Sequence, residues 1–187
     1  MTRKEAKENL CNQLKKNLHI TIDITKEDMD KVISFSKEME EKKPDEPNYK
    51  IDNKNIFQRN LSGKLGEIAI EKYLGIQFVD FSIGESKDYN IPDIYTYELG
   101  VKTARLSTGI IYAPVKPKND EIVCIYDEDK SKVYIMGILN KELVDKYGER
   151  SLLPPSVSAY KTGYARYDEL IPISFDLLQS YKLRKSA

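Results

Sequence analysis

The chain has 187 residues, of which 40% are apolar and 32% charged, and its 30 basic and 30 acidic residues give no net charge. This composition is typical of a soluble globular protein, and the length suffices for one domain with an appendage and a substantial core. The absence of net charge excludes a uniformly basic body, so any contact with DNA must depend on a local basic patch.

Cysteine and histidine usage argues against a zinc site. The chain has a single histidine and two cysteines, Cys11 and Cys124, whose spacing matches no metal-ligand or redox motif. Cys124 lies in the apolar run 122–126, where a buried thiol acts as a small apolar group. No signal peptide and no apolar run of membrane-spanning length is present, so we expect a cytoplasmic protein with no membrane contact.

The first 50 residues predict a helical extension followed by a linker. Three leucines recur at helical spacing in residues 3–18, and Thr25 with Asp28 has the pattern of a capping box that opens a second helix. Residues 44–55 contain the prolines and asparagines of a linker or extended loop. Such a layer covers one face of a later sheet, or it provides a surface for a partner or a homodimer.

Residues 51–187 predict the main domain. An amphipathic helix is expected over 63–75, and residues 148–169 have the composition of a long surface loop. Asn140 and Ser174 are predicted helix N-caps. The other predicted elements are strands over 76–81, 109–115, 121–126 and 132–139, a hairpin over 91–105, and helices over 141–147 and 175–183. The simplest packing is an α/β fold, a mixed sheet flanked by helices.

The predicted hairpin brings an acid and a lysine together. Asp93 follows Pro92 at the start of a β-branched and aromatic run, and Lys102 lies within a second such run. A tight turn near residues 97–100 would place the two side chains on neighbouring strands. A carboxylate beside an ammonium is either a cross-strand ion pair or a catalytic pair, and the spacing alone does not decide between them.

Upstream of the hairpin, Glu67 lies beside the apolar stripe of the predicted helix rather than opposite it. A helical Glu67, then Pro92-Asp93, then Lys102 on the following strand resembles the PD-(D/E)xK nuclease superfamily. That superfamily includes many restriction enzymes, Holliday-junction resolvases and phage nucleases. With the order of the later elements, residues 60–178 look most similar to small phage or mobile-element endonuclease-like domains. The resemblance implies a restriction-endonuclease-like fold and a bacterial or phage-infected host cell.

The resemblance also implies a metal-dependent site. Asp93 would be the central ligand of Mg²⁺ or Mn²⁺, the backbone carbonyl of Val101 a second ligand, and Glu67 would bind directly or through water. Lys102 would orient the attacking water or stabilise charge on the phosphate. Glu67, Asp93 and Lys102 are therefore the predicted catalytic residues, because a divalent cation with oxygen ligands supplies what phosphodiester hydrolysis needs.

One position departs from the family pattern. The second acid of the motif stands two residues before the lysine, where this chain has Gly100. Glu98 would share a strand face with residues 100 and 102 if the strand stayed regular. It then either stands in partly as a metal ligand or lies in the turn and faces solvent.

Basic and aromatic side chains near this acidic centre are the predicted DNA contacts. The predicted phosphate contacts are Lys64, Arg105, Lys116 and Lys118, and the predicted base-stacking residues are Tyr112 and Tyr160. The leading hypothesis is a metal-dependent DNA endonuclease. The alternative is a nuclease fold that has lost catalysis and binds DNA or a protein, which Gly100 and the neutral charge favour. A third hypothesis makes the N-terminal helices a surface that binds and inhibits a host factor.

Overall fold

The computed structural model describes residues 2–42, 56–83, 92–148, 161–164 and 166–184. The predicted linker over 44–55 lies outside these ranges. The described helices are α1 (Arg3–Lys15), α2 (Lys26–Lys42), α3 (Ile56–Leu74), α4 (Lys141–Gly148) and α5 (Phe175–Arg184). The described strands are β1 (Ile20–Asp23), β2 (Leu99–Arg105), β3 (Ile111–Pro114), β4 (Asp120–Asp127), β5 (Lys132–Leu139) and β6 (Lys161–Tyr164).

The main sheet has four strands in the order β1-β5-β4-β2, so β2 lies at one edge. β5 pairs antiparallel with both β1 and β4, whereas β2 runs parallel to β4. β3 and β6 form a separate antiparallel pair. The architecture is thus α/β, with a mixed sheet flanked by helices, as predicted. Among the described helices, none is both long and apolar enough to cross a bilayer.

Each face of the main sheet buries its own layer of apolar side chains. Ile122 and Cys124 of β4 pack with α3, α5 and part of α2, whereas Val123 and Ile125 pack with α1 and α4 on the other face. This alternation follows from the two-residue period of a strand. Cys124 is fully buried, as predicted, and burial raises the pKa of its thiol.

The N-terminal region contains a strand that the sequence did not predict. β1 has only four residues with alternating exposure, too short a pattern to separate from a loop. It pairs with β5 and therefore belongs to the main sheet. The predicted capping box is confirmed, because Thr25 and Asp28 exchange hydrogen bonds at the start of α2.

Two other predictions of secondary structure were wrong. Residues 76–81 do not form a strand, because the amides of Phe78 and Val79 donate to Glu71 Oε1 at 2.7 and 2.9 Å instead of to another strand. β6 lies inside the segment 148–169 that was predicted to be a loop. The strand has only four residues, too few for a recognisable pattern, and it exists because it pairs with β3.

A glycine brings α3 close to the edge strand. A Cβ on Gly66 would lie 1.9 Å from Thr103 Oγ1 and 3.1 Å from Thr103 Cβ, so only glycine allows this approach. The next residue of α3 is Glu67, which is therefore held beside β2. α3 begins at Ile56, earlier than predicted, and ends at Leu74; Gly75 follows with a φ of 65°, the left-handed conformation typical of a helix C′ residue.

Replacing Gly66 with alanine should destabilise the protein by about 1–3 kcal/mol, because the added methyl group overpacks the contact with Thr103. Gly63 is the matched control: it lies in the same helix, and a Cβ there would meet no atom within 4 Å. Gly63→Ala should stabilise by about 0.5–1 kcal/mol through helix propensity alone. Denaturant unfolding of both variants tests the contact, and equal effects would show that it is not tight.

Candidate active site

A short turn positions Asp93 at the free edge of β2. Ile94 and Leu99 form an isolated antiparallel bridge, and a 3₁₀ turn over Tyr95–Tyr97 connects them. The predicted hairpin is thus reduced to a single bridge. Asp93 Oδ2 accepts a hydrogen bond from the backbone N–H of Val101 at 2.6 Å, which fixes the carboxylate next to Lys102.

The structure brings a further acid to this site, Glu121, which the sequence analysis did not identify. Glu121 pairs with Gly100 in the parallel register of β2 and β4, and its side chain is buried. A Cβ on Gly100 would lie 2.0 Å from Glu121 Oε2, and Lys102 Nζ lies 3.7 Å from Oε1. The carboxylate of Glu121 therefore fills the space that a side chain at position 100 would occupy.

Glu67 approaches the same site from α3. Its Oε2 lies 2.5 Å from Lys64 Nζ, and only 16% of its side chain is exposed. Burial raises the pKa of Glu67 to about 7; the charge of Asp93 also raises it, while Lys64 and Lys102 oppose the shift. The charge of Asp93 therefore lies close enough to Glu67 to contribute to the rise of its pKa.

Glu121 titrates in the same range. Burial raises the pKa of Glu121 to about 7; Lys102 opposes the shift, and the charges of Asp93 and Asp120 add to it. The site therefore combines three carboxyl groups with two lysines, and two of the carboxyl groups exchange protons near neutral pH. Such perturbed groups are typical of functional sites.

The donor set suits a hard divalent cation. All the candidate ligands are carboxylate oxygens, which Mg²⁺ and Mn²⁺ prefer. Glu121 Oε2 is buried and has no hydrogen-bond partner among the described residues, so a cation, a proton or a water could bind to this oxygen. In the arrangement seen here, however, no three His, Cys, Asp or Glu side chains of the described ranges are grouped to hold a metal ion directly. Lys64 and Lys102 supply the counter-charge instead.

The other predicted site residues lie around this centre or away from it. Glu98 is exposed at the end of the 3₁₀ turn with a φ of 54°, so it is a turn residue facing solvent. Lys64 is paired with Glu67, and Arg105 Nε lies 3.3 Å from Glu128 Oε1 at the far end of β2. Lys116 and Lys118 are exposed in the loop between β3 and β4, and Tyr160 lies outside the described residues.

Comparisons of the chain with protein families, with curated proteins and with solved structures found no match. The structure itself therefore establishes the α/β architecture, the pairing of Lys102 with Glu121 beside Gly100, and the hydrogen bond of Asp93 to the amide of Val101. Membership of the PD-(D/E)xK superfamily stays a prediction.

Proposed function

We propose that this chain is a metal-dependent DNA endonuclease with a PD-(D/E)xK-type site formed by Glu67, Asp93, Lys102 and Glu121. One observation carries the proposal: the carboxylate of Glu121 occupies the position of the side chain that Gly100 lacks. In this proposal, Glu121 of the neighbouring strand takes the role of the acid that the motif has at position 100. The wider resemblance of the motif order supports the choice of DNA as substrate.

Asp93 and Glu121 would hold the Mg²⁺ or Mn²⁺ ion, with Glu67 reaching it directly or through water. When bound, such an ion supplies a Lewis acid and a water that ionises more readily. The chain's own residues would bind the ion and position the phosphate. The ammonium of Lys102 lies 3.7 Å from Glu121 and is partly exposed. It could therefore exchange this carboxylate for a phosphate and stabilise the negative charge on it. Glu67, with a pKa of about 7, holds or releases a proton at physiological pH.

Asp93→Ala and Lys102→Ala should each reduce Mg²⁺- or Mn²⁺-dependent DNA cleavage by about 10²- to 10³-fold, because each removes a group that acts on the reacting phosphate. Glu98→Ala is the matched control, since it removes an exposed acid from the same turn. It should leave cleavage within about twofold. Cleavage rates on plasmid DNA provide the measurement, and cleavage that survives Asp93→Ala would rule out the assignment.

A second candidate function is a nuclease fold that binds DNA or a protein without catalysis. The observation that favours it is that lysines already neutralise two of the acids: Lys64 pairs with Glu67, and Lys102 pairs with Glu121. These lysines supply the positive charge that a metal ion would otherwise supply. This candidate predicts binding that needs no divalent cation and is unaffected by Asp93→Ala. Calorimetric titration with Mn²⁺ separates the two functions, because only the endonuclease requires a cation-binding site.

A further inference from the structure

A basic cavity lies away from the acidic site, between the first two turns of α1 and the segment that follows β2. It has a volume of about 500 Å³. Arg3, Lys4 and Lys7 line it from the helix, and Ser107, Thr108 and Tyr112 line it from the other side. The volume is within the range of small-ligand pockets. Cations, hydroxyl groups and an aromatic ring together are suited to a phosphate group and an adjoining base.

The walls of this cavity are held together by packing. Ile110 is buried against Ala6 of α1, and the ring of Tyr112 packs on the same small cluster. Gly109 has a φ of 64°, and a Cβ there would be in ordinary van der Waals contact with Lys7. The loop therefore lies directly on the helix, and the three cations project from a fixed wall.

No acid is among the described residues that line the cavity. Within the described part of the chain, no carboxylate forms an ion pair with Arg3, Lys4 or Lys7. Glu5 of the same helical turn keeps its charge, because its hydrogen bonds with Thr2 in the capping box lower its pKa, but it does not line the cavity. Glu128 approaches from the side of Ser107, but it also pairs with Arg105. The lining of the cavity thus carries three positive charges, in a chain that has no net charge overall.

We propose that this cavity binds a backbone phosphate of the nucleic acid whose cleavage is proposed above. β2 continues for three residues beyond Lys102 to Arg105, which corresponds to about 10 Å at about 3.3 Å per residue, and Ser107 follows in the turn after it. A B-form strand covers about 10 Å in about three nucleotides. A strand bound at the acidic site is therefore long enough to reach the cavity within a few more nucleotides. The cavity is the local basic patch that a chain without net charge needs for DNA contact.

The test compares two triple variants with the same change in net charge. Arg3→Gln/Lys4→Gln/Lys7→Gln removes the cavity's cations, and Lys15→Gln/Lys16→Gln/Lys37→Gln removes three exposed lysines elsewhere. Both are made in an Asp93→Asn background with chelator present, so binding is measured without cleavage. The probe is a labelled duplex of about 15 base pairs, titrated between about 50 and 200 mM NaCl.

The cavity variant should bind at least about tenfold more weakly at low salt, and the slope of log K against log salt should fall by about one, because one phosphate contact contributes about 0.9. The control variant should keep the parental slope. Equal losses in the two variants, or no binding by the parent, would overturn the proposal. So would a cavity variant that loses affinity for inorganic pyrophosphate but keeps the DNA slope, since the ligand would then be a small phosphate compound.

This test is separable from that of the proposed function. If Asp93→Ala leaves cleavage intact while the cavity variant loses its salt slope, the assignment of the active site fails and the phosphate-binding cavity stands. If cleavage depends on Asp93 but both triple variants bind DNA equally, the cavity assignment fails alone.

Discussion

Moving a carboxylate from position 121 to position 100 should restore a site that either single change destroys. Glu121→Ala should reduce cleavage by about 10²- to 10³-fold, because it removes the acid beside Lys102. Gly100→Asp alone should be similarly inactive, since its Cβ would lie 2.0 Å from Glu121 Oε2 and a second buried carboxylate would be added. Gly100→Asp/Glu121→Ala should recover cleavage to within about tenfold of the parent, because the two residues are register partners.

Gly100→Asn/Glu121→Ala is the matched control for this exchange. It fills the same space without the charge and should fold without regaining cleavage. Stability provides a second readout that does not depend on enzymatic activity. Gly100→Asp should destabilise by about 2–4 kcal/mol, and adding Glu121→Ala should relieve most of that loss. If the double variant is as unstable and inactive as Gly100→Asp, Glu121 does not occupy the second acid's place.

The affinity for Mn²⁺ should rise steeply with pH up to about 7. Burial raises the pKa of both Glu67 and Glu121 to about 7, so below that pH the folded protein holds protons that a cation must displace. The dissociation constant should therefore fall by about tenfold per pH unit if one proton is released, and by up to about a hundredfold if two are. Calorimetric titrations between pH 5.5 and about 7.5 measure this slope. A flat profile would contradict the assigned ligands.

Without metal, the same two groups should act on stability in the opposite direction. Their pKa is raised in the folded state above the ordinary value of 4.5, so the folded protein binds more protons than the unfolded chain between pH 4.5 and about 7. Their contribution to the free energy of unfolding is greatest below that window and declines as the pH rises through it. Glu121→Gln removes one of the two groups, and at pH 8 it should be more stable than the parent by about 1–2 kcal/mol.

The pairing of β1 with β5 changes how the N-terminal region can be tested. Deleting residues 1–45 would remove an edge strand of the main sheet and the helices packed on it. Such a deletion would therefore disrupt the core as well as any surface that binds a host factor. The hypothesis of an inhibitory N-terminal surface stays a prediction, and exposed substitutions on α2 test it better than truncation.

Local signals in the sequence predicted much of the fold. The capping boxes and caps at Thr25, Asn140 and Ser174 are confirmed, since each rests on a side chain that bonds a backbone amide within the next three residues. β4 and β5 were predicted because continuous apolar runs bounded by turns are strong signals. β1 and β6 were missed because four residues carry too little pattern, and their existence depends on distant partners.

By itself, the sequence determined the N-caps of α2, α4 and α5, the central strands and the approach of Asp93 to the strand that holds Lys102, because these depend on residues within about one element of each other. Only the tertiary structure decided that Glu121 lies against Gly100 and that α1 forms a cavity with the segment after β2. Both depend on the register and packing of elements far apart in the chain, which side-chain periodicity does not encode. Gly100 lacks the side chain that the family pattern has at this position, and the carboxylate of Glu121 occupies the space that this side chain would fill.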